Sequence, residues 1–438
     1  MPRPRVLLVT TATSYNAAAF LEAAARLDVE VVLASDRCHQ LDDLFAFPPA
    51  SLVIDLAAPQ AAVEVIVAES RREADRPIVA AISAGGESAA LVATMAARAL
   101  GLPHNAIEAV EAARDKRRMR ELLAAAGVSQ PRFAGTDLDE PSGRVAARIR
   151  AELGFPCVIK PRLLSASRGV IRVDDDLSLA RGLTRLRTLL ARPDHLEMDL
   201  HGDGSSRSIL IEEFVPGAEV ALEGVLDRGT LRTLALFDKP DPLDGPFFEE
   251  TIYVTPSRQP AEVQRAIEQV TAAAAHAMGL HDGPVHAELR LPPRGPVAPP
   301  RGPVVIEVAA RSIGGLCSRV LRFGTGLSLE DVLVRHALGH DIGALPREHA
   351  AAGAMMIPIP RAGVLKAVDG VELARAVAGI DDVVITQDLD RQLVPLPEGA
   401  SYLGFVFAHG TTPEAAEASL RAAHAALRFT IVPMLPVR

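Results

Sequence analysis

The chain has 438 residues, 49% of them apolar and 23% charged, with a formal net charge of −9. At roughly 150 residues per domain, this length implies two to four domains of ordinary globular composition. The acidic balance argues against nucleic acid and anionic membrane as main partners, yet leaves room for a local basic cleft that takes an anionic ligand. Three widely spaced cysteines, Cys38, Cys157 and Cys317, form neither a disulfide framework nor a metal-ligand spacing, so a reducing cytoplasm is the expected setting. No uninterrupted apolar run reaches the roughly 18 residues of a membrane span.

Arg3 and Arg5 ahead of Val6-Leu7-Leu8-Val9 give the opening a signal-like look. Ser14-Tyr15-Asn16 interrupts the apolar run, however, and a second strand follows within one helix length. The opening is read as a βαβ unit: strand 6–10, helix 17–27, strand 29–34. Strand 51–56, helix 61–73, strand 77–83 and helix 88–100 continue the alternation. Continuous apolar strands between helices imply a parallel sheet covered on both faces. The loop 11–16 falls at its carboxyl edge, where such sheets bind ligands. It lacks GxGxxG, so Asp36 after the second strand is not expected to serve a dinucleotide.

Asp115 opens a helix that runs to 126 and stops at Gly127. Its basic run reads as a solvated face, Lys116 excepted. Residues 131–211 form a small unit: extended 131–133, helix 143–153, a lysine strand, a small-residue loop, strand 170–173 and helix 177–191. Gly154-Phe155-Pro156-Cys157-Val158-Ile159-Lys160-Pro161 delivers a lysine into Ser165-Ala166-Ser167-Arg168-Gly169. Small side chains there let backbone N–H groups approach an anion, and the proline after Lys160 ends strand pairing. The stretch suits phosphate without being a P-loop.

Residues 209–225 read as strand, turn, strand, with Pro216-Gly217 at the bend. Asp238-Lys239-Pro240 leads into an acidic, Pro/Gly-rich loop to 256, and helix 261–278 follows. Strands carrying Glu288 and Glu307 form a hairpin whose tip, 292–303, is rich in Pro, Gly and Arg. From about residue 341 come short strands (354–359, 363–368, 383–386, 403–409) and a closing helix, 413–427. They show no polar cluster that demands chemistry, so packing or dimerisation is expected of them.

Glu212 and Glu219 lie seven apart across the tight turn. A nucleotide asks for a backbone that pairs with the adenine edge and an acid that accepts ribose hydroxyls. Glu288 and Glu307 on neighbouring strands would repel unless a cation lies between them, and Mg²⁺ prefers one or two carboxylates plus phosphate oxygens. Arg311, ahead of Gly314-Gly315, suits a second anion. His286 can reach the same space, although a structural histidine at the strand end is the plainer reading.

Together and in order, these residues resemble the ATP-grasp superfamily and, within it, the carboxylate–amine ligase branch (L-amino acid ligase-like), over about residues 1–435. The resemblance implies an α/β chain, α+β in its core. An N-terminal Rossmann-like parallel-sheet domain (1–112) precedes an ATP-grasp core (113–340), with a small mobile lid (about 131–211) over a central antiparallel sheet. A mixed C-terminal subdomain (341–438) completes it. The resemblance also implies ATP and Mg²⁺ (one or two ions, Mn²⁺ as a substitute), a small-molecule carboxylate and an amine as substrates, and a homodimer.

Site roles follow from the same resemblance. Lys116 and Lys160 hold the α- and β-phosphates, and Ser165, Ser167 and Gly169 belong to the loop that covers them. Glu212 with the backbone of Glu213, Phe214 and Val215 serves adenine, and Glu219 serves ribose. Glu288 and Glu307 ligate the metal, while Arg311 with Lys160 is catalytic, Arg311 steadying an acyl phosphate or acid. The family's E-x-N-x-R run is Glu307-Val308-Ala309-Ala310-Arg311 here, so one metal ion is expected to be held less tightly. Specificity is expected from residues 11–16, 238–257 and 314–319. Two other readings stand beside the ligase: a bicarbonate-dependent carboxylase of the biotin carboxylase-like type, and a non-catalytic nucleotide-binding or scaffold protein, for which Ala309 argues.

Overall fold

The computed structural model describes residues 3–12, 14–36, 50–196, 198–293, 302–324, 326–346, 348 and 350–434. Cys38, Thr13 of the first loop and most of the 292–303 hairpin tip lie outside the described residues.

The N-terminal alternation builds a four-stranded parallel sheet in the order Ala50–Val53, Glu30–Ser35, Arg5–Thr10, Ile78–Ala84. Helices Ala17–Arg26, Pro59–Arg72 and Glu87–Ala99 cover it. The central strand is buried at every position, which is why it reads as an uninterrupted apolar run. Arg5 opens that strand instead of flanking a signal. Its guanidinium is buried and donates to Glu30 Oε1 at 3.1 Å and to the Arg76 carbonyl at 2.8 Å.

The lysine strand Cys157–Pro161 lies in a second, four-stranded antiparallel sheet, ordered Phe133–Asp137, Ser208–Glu213, Cys157–Pro161, Ile171–Val173. Helices Ser142–Glu152 and Asp176–Leu190 close its back through a core that includes Val145, Ile149, Leu179, Leu183 and Leu186. This is the lid.

The largest sheet has eight strands, ordered Val304–Ala309, Gly283–Leu291, Ala218–Asp227, Thr230–Lys239, Ile252–Thr255, Ala351–Ile357, Gly404–Gly410, Ile380–Ile385, with antiparallel neighbours throughout. Three of the C-terminal strands, Ala351–Ile357, Gly404–Gly410 and Ile380–Ile385, thus complete the central sheet, while Gly363–Asp369 pairs with Gln392–Leu393 and Arg428–Val432 in a separate three-stranded sheet. Helix Ala261–Ala277 packs Ile267, Ala274 and Ala275 onto the other half of the central sheet.

Two features depart from the sequence reading. The strand, turn, strand read over 209–225 is present as Ser208–Glu213 and Ala218–Asp227, but the two belong to different sheets, and Pro216-Gly217 is the crossing from lid to body. Gly217 has φ +111°, and a Cβ there would run into the Leu291 carbonyl, so the chain passes too close to its neighbour for a side chain. Helix Leu329–Ala337 and strand Arg428–Val432 were not expected. That helix buries Glu330 and Asp331 with its leucines, erasing the polar–apolar contrast that marks a surface helix. Among the described residues no helix is long and apolar enough to cross a membrane.

Candidate active site

A cavity of about 340 Å³ opens where the lid, the central sheet and the N-terminal sheet meet. Lys116, Lys160, Ser165, Ser167, Glu212, Glu213, Phe214, Val215, Glu219, Glu288, Glu307 and Arg311 all line it. Gly169 does not; its N–H donates to the Pro397 carbonyl at 2.8 Å, tying the small-residue loop to the C-terminal part.

At one end, Asp115 caps helix Lys116–Ala125 by accepting from the N–H groups of Arg117 and Arg118, and Arg162 clasps the same carboxylate at 2.7 and 2.6 Å. The cap makes Lys116 the first helical residue and aims its side chain inward. Its Nζ donates to the Leu164 carbonyl at 2.6 Å and lies 3.6 Å from Glu307 Oε2. Lys160 Nζ sits 2.7 Å from Glu212 Oε2, and Arg120 Nε donates to Glu212 Oε1 at 2.7 Å, all three side chains being buried. Burial alone would raise the Glu212 carboxyl; Arg120 and Lys160 outweigh it and bring it down to about 2. The Lys160 ammonium is lowered, first by burial, with Arg120 and Lys116 adding to it against Glu212. In the adjoining backbone, the N–H of Glu213 already donates to the Arg132 carbonyl (2.9 Å) and that of Phe214 to the Pro156 carbonyl (3.3 Å). The Phe214 ring lies between the guanidinium groups of Arg172, at 4.3 Å, and Arg290, at 5.8 Å.

Mid-cavity, Glu288 and Glu307 stand directly opposite each other in the antiparallel pair Gly283–Leu291 and Val304–Ala309. Glu219 is not free: Lys239 Nζ reaches its Oε1 at 2.7 Å and Arg290 Nε donates to its Oε2 at 2.7 Å. Lys239 also meets Glu250 and lies 3.1 Å from Glu288 Oε1. Lys239, Glu250 and Arg290 are polar residues that the sequence reading did not assign. The stretch 238–257 was marked as substrate-facing, but nothing in it distinguished a buried lysine from a surface one. Burial raises Glu250 to about 7 together with Glu288 and Glu219, against the pull of Lys239.

At the far end, Nε and Nη2 of Arg311 both approach Glu87 Oε1 at 2.8 Å. Glu87 opens helix Glu87–Ala99 just after Gly85-Gly86 and was likewise unassigned from sequence. Burial would raise its carboxyl, but Arg311 outweighs that and holds it down to about 2. His286 lies inside the site: Nδ1 is 3.1 Å from Glu223 Oε2 and Nε2 is 3.6 Å from Glu288 Oε1. Burial lowers its affinity for a proton, yet the two carboxylates more than reverse this and raise it to about 9. The wall beyond is apolar and aromatic, with Tyr15, Tyr253, Met356 and Tyr402. Met356 and Tyr402 come from the C-terminal part, which therefore contributes cavity wall as well as packing. Asp36, considered for ribose, accepts from the Ala12 N–H at 2.6 Å and ties down the first loop.

Comparison with known proteins agrees with this layout. Residues 153–320 match the ATP-grasp domain and residues 355–432 match the L-amino acid ligase C-terminal domain 2. An L-amino acid ligase from Bacillus licheniformis superposes with a TM-score of 0.80 at 25% identity, covering 99% of this chain and all of that one. An uncharacterized protein of Sinorhizobium fredii is 25% identical over 98% of this chain and 84% of its own length. Alanine–anticapsin ligase of Bacillus subtilis is 27% identical over 49% of this chain, and the match spans 44% of that enzyme. Fold and cavity define an ATP-grasp protein. Within that class the chain is similar to ligases of the carboxylate–amine type, and its residues 355–432 match the L-amino acid ligase C-terminal domain 2.

Proposed function

We propose that this chain joins the carboxyl group of an amino acid or another small carboxylic acid to an amine, driven by ATP cleavage through an acyl phosphate. The observation that carries the reading is one cavity lined together by Lys116, Lys160, the facing pair Glu288 and Glu307, and Arg311. The L-amino acid ligase and alanine–anticapsin ligase relatives support the choice of an amino acid.

Lys160 and Lys116 neutralise the α- and β-phosphates, Ser165 and Ser167 cover them from the lid, and the stretch from Glu212 to Val215 lies along the adenine. Glu219 faces the ribose. The Glu288–Glu307 pair fits a hard divalent cation, because two carboxylates facing one space need positive charge between them. Bound there, Mg²⁺ neutralises phosphate charge. Arg311 orients the acid, whose carboxylate oxygen attacks the γ-phosphorus while the β–γ bridging bond breaks with its electron pair leaving on ADP. The amine nitrogen then attacks the acyl carbon; the carbon–oxygen bond breaks, inorganic phosphate leaves with that pair, and the amine gives up a proton. Phosphoryl transfer asks the protein for position and charge more than for covalent chemistry, and the closed lid keeps water from the acyl phosphate.

A phosphate-release screen of paired amino acids with ATP and Mg²⁺, products read by mass spectrometry, tests the reading. Release that requires both an acid and an amine, with an amide product, is expected. Release that needs only bicarbonate would replace it with a carboxylase, and tight ATP binding without release across the panel would replace it with a non-catalytic binder.

A further inference from the structure

Three carboxylates converge on one ammonium. Oxygens of Glu219, Glu250 and Glu288 lie within 4.8 Å of one another. Lys239 Nζ sits among them, 2.7 Å from Glu219 and 3.1 Å from Glu288, in contact with Glu250, and 5.0 Å from the centre of the Tyr253 ring. It is 6% exposed, so the charge cannot swing out to solvent without dismantling the strand end. A cluster of this kind repels itself unless a cation fills it, and here the chain fills it with its own.

The neighbouring positions limit how many further cations the site can hold. Glu288 and Glu307 face each other across the two strands; two residues on, back on the same face, His286 pairs with Ala309. Ala309 lines the cavity with a methyl group and offers no ligand atom. His286 Nε2 and Lys239 Nζ both approach Glu288 at Oε1. A divalent ion on that side of Glu288 would lie within a few ångströms of a fixed ammonium, an unfavourable like-charge contact where water is excluded. On the side toward Glu307 two carboxylates share the ion, with Lys116 Nζ 3.6 Å from Glu307 Oε2.

We propose that Lys239 is a built-in cation that takes the place of a second metal ion, so that the nucleotide complex carries a single divalent ion, held between Glu288 and Glu307. The inference rests on the nucleotide-binding reading above and adds the metal count and the role of Lys239 to it.

The test is a count. The whole chain, saturated with the non-hydrolysable analogue AMP-PNP, is titrated with Mn²⁺, and bound ions are counted by equilibrium dialysis and electron paramagnetic resonance. One Mn²⁺ per nucleotide-bound chain is expected, rising to two in Lys239→Met and staying at one in Lys239→Arg. Spin–spin broadening of the Mn²⁺ signal is expected only in Lys239→Met. Two ions in the unaltered protein overturn the proposal, and so does a count of one in a Lys239→Met chain that still binds AMP-PNP. The unaltered count needs no variant, so a Lys239→Met chain that fails to fold leaves the proposal open to refutation. Failure of the unaltered chain to bind AMP-PNP would remove the nucleotide reading and this proposal together, an outcome separable from a wrong count.

Discussion

Arg311 and Glu87, 224 positions apart, meet at 2.8 Å and bind the central sheet to the first helix turn beyond Gly85-Gly86. Under the proposed function Arg311 orients the acid substrate from the position that Glu87 gives it. Arg311→Ala is expected to lower kcat/KM for acid- and amine-dependent phosphate release by about 100-fold or more, as loss of a buried charge partner does. The dissociation constant of an ATP analogue, read by calorimetry, should stay within about threefold. Equal losses in both quantities would place Arg311 with the nucleotide instead.

Lys160→Ala takes one of two cations from the buried Glu212 carboxylate and leaves Arg120 behind. Breaking such a pair costs about 3 kcal/mol. ADP formation should vanish and the melting temperature should fall. Glu307→Ala, whose carboxylate is part-exposed and has Lys116 at 3.6 Å, should also abolish ADP formation with a smaller change in melting temperature. Turnover near the unaltered level in either variant would refute the site.

The pH dependence of stability has two limbs. Glu212 and Glu87 are both depressed to about 2 against an ordinary value of 4.5, so their stabilisation is present above 4.5 and is lost as pH falls toward 2. Each contributes about 3 kcal/mol by linkage. His286, raised to about 9 from 6.5, stabilises fully below 6.5 and loses that contribution as pH rises through 9. Glu250, raised to about 7, works in the opposite sense to the two depressed acids, with stability falling as pH rises from 4.5 to 7. Urea unfolding from pH 3 to 10 checks this: Glu212→Gln should flatten the acid limb and His286→Gln the alkaline one.

Arg185 on lid helix Asp176–Leu190 meets Glu398 at 2.7 and 2.8 Å, beside the Gly169-to-Pro397 hydrogen bond. The pair is solvent-exposed and contributes 1 kcal/mol or less by the usual rule. Glu398→Ala should therefore raise KM for ATP about two- to threefold, more at low salt than at high salt. A tenfold change would mean the lid depends on this contact far more than its exposure suggests.

Gly217→Ala introduces a Cβ at φ +111° against the Leu291 carbonyl. Because backbone, not a flexible side chain, stands in the way, a loss of about 2 kcal/mol or more is expected by chemical denaturation. An unchanged unfolding midpoint would show that the lid crossing can shift.

Much of the scaffold was legible because its periods are local. Strands such as Arg5–Thr10 carry an unbroken apolar run, Val6 to Val9, and helices such as Asp176–Leu190 alternate faces with a capping residue at the start, so the alternation of elements could be read directly. Helix Leu329–Ala337 escaped because Asp331 is buried against Arg26, some three hundred residues away, and a charge paired in space looks like a surface charge in sequence.

The residues in their order along the chain, read through the resemblance to ATP-grasp proteins, named two lysines, a pair of facing acids and an arginine, and the fold brings these to one cavity. Only the tertiary structure decided which charges pair. Lys239, Glu250, Glu87 and Arg290 carry no local signature, since a buried ammonium and an exposed one are the same letter until folding removes the water. Their partners lie between 11 and 224 positions away, and it is the desolvation they share, not their neighbours in sequence, that forces those pairings.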